Sequence, residues 1–194
     1  MGNGNLSQDV GKLRQCLGLL PEAIVKPPFV VVSGLPGTGK SFFCRKLAKK
    51  LPFLILGSDV LRKSLFPSPS HSTPENARLF AACHVLIEGL LDRGIPLIFD
   101  ATNLSERYRE RLYRSSDKAG ARLVLVRVEA PPEVVYQRLQ ERSDKPDPED
   151  KSDATWEVYR RMKPSMDKIR RNHFVVDTSK DVTPVIDKIV RVLK

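Results

Sequence analysis

Five short apolar runs punctuate the chain: Phe29–Val32, Phe53–Leu56, Pro96–Phe99, Leu123–Val128 and Phe174–Val176. Each is β-branched or aromatic, nearly continuous in apolar character and too short for a helix, the pattern of a strand covered on both faces. Between them lie longer segments of helical pattern: Lys40–Leu51, Asp59–Leu65, Pro74–Arg93, Ser105–Ala119, Pro132–Arg142, Ala154–Arg170 and Val182–Leu193. Thr73 before Pro74 offers a hydroxyl cap and a first-turn proline, while Gly94 and Gly120 are stop signals. Strands alternating with helices predict a three-layer α/β/α domain built on a mainly parallel five-stranded sheet.

The ends and linkers follow from the same pattern. Residues 1–26 read as an N-terminal extension, in which Gly2, Asn3, Gly4 and Asn5 form a flexible end before a weakly amphipathic stretch, Val10–Leu20, that predicts a short helix. Residues 27–194 form the main domain. The Pro-, Asp- and Lys-rich segment Ser143–Ser152 reads as a mobile loop between two helices, part of a helical lid over about residues 132–160.

Composition narrows the classes. A chain of 194 residues with 41% hydrophobic content can bury one domain's core. No apolar run approaches the roughly 18 to 20 residues of a membrane span, the N-terminus lacks a secretory pattern, and Leu6 stands where an N-myristoylation signal wants Ser or Thr. A cytoplasmic protein without membrane contact is expected. Cys16, Cys44 and Cys83 have neither zinc nor redox spacing and read as reduced thiols. The formal charge of +10 favours polyanionic partners, which admits nucleic acid and equally a basic cleft for a nucleotide.

The most specific signal is Gly34-Leu35-Pro36-Gly37-Thr38-Gly39-Lys40-Ser41, which satisfies G-x-x-x-x-G-K-[ST] between an apolar strand and a helix. Glycines let the backbone curl so that successive N–H groups face an anion. Lys40 then supplies charge to the β- and γ-phosphates of ATP, and the Ser41 hydroxyl a ligand for Mg²⁺. The G-x-G-x-x-G pattern of dinucleotide binding is not spelled.

Other residues must decide where the γ-phosphate goes. Ser58 can cap a helix on which Asp59 and Arg62 share a face, at the end of the second apolar run. Asp59 is the candidate base toward an attacking hydroxyl, and Arg62 the candidate group for an anionic acceptor or developing charge. The third run ends in Asp100-Ala101-Thr102-Asn103. Asp100 is a candidate on the Mg²⁺ side, and Thr102 and Asn103 candidates for phosphate or acceptor hydrogen bonds. Arg138 and Arg142, four apart, could present two guanidinium groups to the nucleotide from the lid. His71, His84 and His173 have no ligand spacing, and Trp156 reads as packing.

From Phe29 to Lys194 the chain resembles a group of P-loop kinases. The group includes polynucleotide 5′-hydroxyl kinases, kinase-like domains of RNA-repair enzymes, zeta-toxin-like and chloramphenicol phosphotransferases, and AAA-type predicted kinases. The carriers are Gly34–Ser41, Ser58-Asp59-x-x-Arg62, Asp100-Ala101-Thr102-Asn103-Leu104, the pair Arg138 and Arg142, and Ser152-Asp153-Ala154. The resemblance implies a P-loop NTPase fold and roles for Asp59 as general base, Arg62 toward the acceptor and Arg142 toward ATP phosphates. It implies an ATP-dependent kinase, with the 5′-OH end of DNA or RNA as first acceptor and a small-molecule alcohol as the alternative. A nucleotide-binding ATPase switch, without an acceptor, is the third reading.

Overall fold

The computed structural model describes residues 3–144 and 152–194. In chain order its elements are α1 (Asn3–Gln15), β1 (Pro28–Ser33), α2 (Lys40–Ala48), β2 (Leu54–Gly57), α3 (Ser58–Leu65), α4 (Thr73–Leu91) and β3 (Leu97–Asp100). They continue with α5 (Glu106–Lys118), β4 (Arg122–Glu129), α6 (Pro132–Asp144), α7 (Trp156–Met162), β5 (Phe174–Asp177) and α8 (Thr183–Leu193). The sheet is parallel throughout, in the order β2-β3-β1-β4-β5.

Because side chains alternate across a strand, each central strand feeds two cores. Phe29, Val31, Leu97, Phe99 and Leu125 join one cluster with residues of α1, α3, α4 and α5. Val30, Val32, Ile98, Val124 and Val126 join the other, with α2 and α8. A third, smaller cluster of Leu35, Leu104, Val135, Leu139 and Tyr159 seats α6 and α7 on the loop after β1. Register places Val32 and Gly57 both level with Asp100, so the C-terminal ends of β1, β2 and β3 open onto one edge.

Three expectations change. The N-terminal helix begins at Asn3, ahead of Val10, and ends at Gln15, short of Leu20. Its residues Val10 and Leu13 are buried in the first core, and buried Asp9 accepts two bonds from Arg78 of α4 (2.6 and 2.7 Å). A helix expected over Ala154–Arg170 stops at Met162, followed by a 3-10 turn Lys163–Ser165, because Pro164 cannot continue an α-helical ladder. Beyond it the chain is captured by α5: the Asp167 N–H donates to the Leu104 carbonyl, and Arg109 holds the Asp167 and Lys168 carbonyls. Most of the segment expected as a mobile loop, residues 145–151, lies outside the described residues. Among the described residues no helix is long and apolar enough to cross a membrane.

Candidate nucleotide and acceptor site

The loop Gly34–Gly39 curls between β1 and α2. Gly37 and Gly39 have φ of 75° and 85°, the left-handed region that side chains avoid. Space is as restrictive as conformation. A Cβ on Gly37 would lie 2.8 Å from Val135 Cγ1 of α6, and one on Gly39 2.9 Å from Thr178 Oγ1 after β5. The loop is also tied from within: the Thr38 hydroxyl donates to the Leu35 carbonyl (2.8 Å), and the Gly34 N–H donates to the Thr102 carbonyl (3.0 Å). Helix α2 has Gly39 at its cap with no side chain covering its first amides, which leaves them for an anion.

Lys40 folds over the loop and donates to the Leu35 carbonyl (2.9 Å). Burial lowers its pKa, against the opposing pull of Asp100 and Asp59, while Arg142 adds repulsion. Asp100, at the end of β3, has its pKa raised by burial, with Lys40 and the Ser41 hydroxyl acting the other way. Lys40, Ser41, Asp59 and Asp100 are thus one electrostatic unit at the sheet edge, and Arg142 lies near enough for Lys40 to feel it. The fit to Mg²⁺ is good: the Ser41 hydroxyl and the Asp100 carboxylate, close enough to act on one another, are hard oxygen donors, and this ion takes few protein ligands beside substrate phosphates. Burial also drives the Cys44 thiol well above its ordinary range, so it is an inert neighbour here.

Several expected site residues are engaged elsewhere. Arg62 is buried, pairs with Glu75 and donates to Asn76 Oδ1 (2.7 Å). Although burial opposes it, the Ser70 amide and hydroxyl, Arg62 and the His71 amide hold the Glu75 carboxyl down to about 2. In this structure Arg62 therefore anchors the segment from Phe66 to Ser72 and the start of α4, and an acceptor could engage it only in exchange. Asn103, at φ 44°, turns its side chain inward to donate to the Val32 carbonyl (2.7 Å). The carbonyl of Thr102 serves Gly34, and the Ser33 hydroxyl reaches the carbonyls of both Thr102 and Asn103. The Asn103 side chain and the Thr102 carbonyl thus brace the loop against β1.

Arg138 is committed to Thr178, donating to its hydroxyl (2.8 Å) and its carbonyl (2.9 Å). The Thr178 hydroxyl donates in turn to the Thr38 carbonyl (2.7 Å). Helix α6, the β5 end and the phosphate loop are joined through one threonine, which no spacing in the sequence singles out. Arg109 was equally unsuspected: fully buried, it bonds Glu106 (2.8 Å) and the carbonyls of Leu104 and Lys168. Its signal was present, since Arg109 shares the i, i+3, i+4 and i+7 face with the buried Leu112, Tyr113 and Ser116.

Comparison with known proteins places this geometry. The chain is 30% identical over 121 residues to L-seryl-tRNA(Sec) kinase of Methanococcus maripaludis, 60% of this chain and 46% of that protein. It thus spans about half the length of the curated relative it matches. Among solved structures, Kti12 of Chaetomium thermophilum with ADP-AlF3 superposes with a TM-score of 0.69 at 18% identity, over 86% of this chain and 100% of that one. APS kinase CysC of Mycobacterium tuberculosis with AMPPNP and APS gives 0.64 at 16%, over 87% and 98%. A gluconokinase from Sinorhizobium meliloti 1021 gives 0.61 at 19%, over 86% and 91%. These likenesses establish the P-loop kinase fold. The family described as AAA domain matches residues 29–169, more than half of the sequence, and the chain belongs to that family.

Proposed function

We propose that the protein transfers the γ-phosphate of ATP to an alcohol, with a small molecule supplying the acceptor hydroxyl. The observation that carries this is the joint placement of Asp59 with Lys40, Ser41 and Asp100 at one sheet edge. A switch that only hydrolyses ATP has no need of a second carboxylate there, on the helix after the neighbouring strand.

In this reading the curled loop and the first amides of α2 hold the phosphates, with Lys40 and Arg142 balancing charge on the transferring group. Mg²⁺, when bound by Ser41 and Asp100, screens the phosphate oxygens from one another. Asp59 takes the acceptor proton as the oxygen attacks phosphorus, the new O–P bond forms in line, and ADP departs with the electrons of the broken bond. The relatives support small acceptor groups, since they include a gluconokinase, an APS kinase and an L-seryl-tRNA(Sec) kinase. A 5′-OH nucleic-acid end is the second reading, favoured by the net charge of +10. Residues 27–194 make up the kinase domain, and the buried free thiols Cys44 and Cys83 suit a reducing, cytoplasmic setting.

The test is transfer of label from γ-labelled ATP to a panel of sugars, nucleosides, aminoglycosides and 5′-OH oligonucleotides. Asp59→Asn should lower transfer to the true acceptor by about 10² to 10⁴-fold while nucleotide binding persists. Full transfer by Asp59→Asn would sink the assignment, and label found only as free phosphate would favour the switch.

A further inference from the structure

Helix α5 carries a second charged feature that the phosphate loop does not use. Arg107, Arg111, Arg114 and Lys118 are all exposed. At 100° per residue their spacing of 4, 3 and 4 confines them to an arc of roughly 60°, and eleven residues at 1.5 Å rise make a stripe about 16 Å long. Among the described residues none of the four has an ion-pair partner. The helix's exposed acids, Glu110 and Asp117, sit to one side of the stripe and face a further basic pair. Asp117 meets Arg171 at 3.5 Å, and Glu110 shares an open depression with Arg114, Arg170 and Arg171. Helix α8 mixes signs, with Asp187, Lys188 and Arg191, and α2 exposes only the adjacent basic pair Arg45 and Lys46, too short a run for a stripe.

We propose that this face of α5 docks the backbone of a single-stranded RNA segment. Four unpaired cations in line attract a row of phosphates, and three of them are arginines, whose forked donors match phosphodiester oxygens. Tyr108, 53% exposed and stacked on Phe80 at 6.5 Å, lies beside Arg111 and gives an unpaired base a flat partner. A lipid surface fits worse, because no aliphatic or tryptophan side chain on the stripe could enter a bilayer. A DNA duplex also fits worse: α4 and residues 167–171 flank α5, so it is no free rod for a major groove about 12 Å wide. The stripe starts at the N-terminus of α5, just after β3, and so at the edge that holds Asp59 and Asp100. Resting on the kinase reading for this step, the small acceptor is then one carried on an RNA whose strand lies down α5.

The experiment is fluorescence anisotropy of a labelled, mixed-sequence single-stranded RNA 20-mer with the full chain, without ATP, over a series of NaCl concentrations. Arg107→Gln, Arg111→Gln, Arg114→Gln and Lys118→Gln are combined in one variant, with Asp59→Asn as a second. Glutamine is a good helix former, and an unchanged Tm verifies folding. The combined variant should bind at least ten-fold more weakly, and its slope of log K against log salt should fall by about 3, at roughly 0.7 for each phosphate no longer neutralised. Asp59→Asn should bind RNA like the parent, so a failed kinase assay and a failed docking surface give different results. Undiminished RNA binding by the combined variant, or binding to phosphatidylserine vesicles in place of RNA, would overturn the proposal.

Discussion

Arg62 and Glu75 form a buried ion pair whose carboxylate is also capped by three donors from residues 70 and 71. Such a pair adds little net stability, but breaking it strands a charge out of water. Glu75→Gln should therefore cost about 3 to 5 kcal/mol, measured by urea unfolding at neutral pH. The pH dependence has a definite sign. The Glu75 carboxyl sits at about 2 when folded against an ordinary 4.5, so its contribution is complete above about 4.5 and disappears as pH falls toward 2. Acid titration of stability through that window should be steeper in the parent than in Glu75→Gln. The aspartate-x-x-arginine spacing of Asp59 and Arg62 was visible in the sequence. That the arginine would be held by Glu75, thirteen residues on, was not, because the intervening segment has no periodicity that fixes its path.

Among the elements, α1 makes the clearest departure from the sequence reading. Its hydrophobic pattern is weak, with only Leu6, Val10 and Leu13 at helical spacing, so it reads as marginal in isolation. Packing on α4 and α3 decides otherwise, and Leu13 is fully buried in the larger core. Leu13→Ala should destabilise the whole protein by about 2 to 5 kcal/mol, read from urea unfolding. An independently frayed N-terminal helix would show almost no change. Helix α6 illustrates the reverse case. Its extent was legible, but the partner of Arg138 lies forty residues away at the end of β5, and only the parallel β4–β5 pairing brings Thr178 to it.

At the scale of the molecule, the phosphate loop is held from three sides and tied once from within. Thr102 holds it from the β3 end, Val135 and Leu139 of α6 lie against Gly37, Thr178 bonds the Thr38 carbonyl, and the Thr38 hydroxyl closes on Leu35 within the loop. A loop so held should bind nucleotide without reorganising, and bound ligand stabilises the folded state by mass action. A non-hydrolysable ATP analogue at about 100 times its Kd should add about 2.7 kcal/mol, raising the Tm by about 5 to 10 °C for a chain of 194 residues. Lys40→Met should remove most of that shift in the same thermal scan.

The sequence by itself determined the layers, the parallel sheet, the phosphate loop and the edge on which the candidate site lies. These follow from local periods and from glycines and prolines that act on their immediate neighbours. Tertiary structure alone decided the partners of the charged side chains: Arg62 with Glu75, Arg138 with Thr178, and Arg109 with the carbonyls on either side of it. Strand order brings together residues far apart in the chain, and a guanidinium denied water takes whichever oxygen that order places within reach.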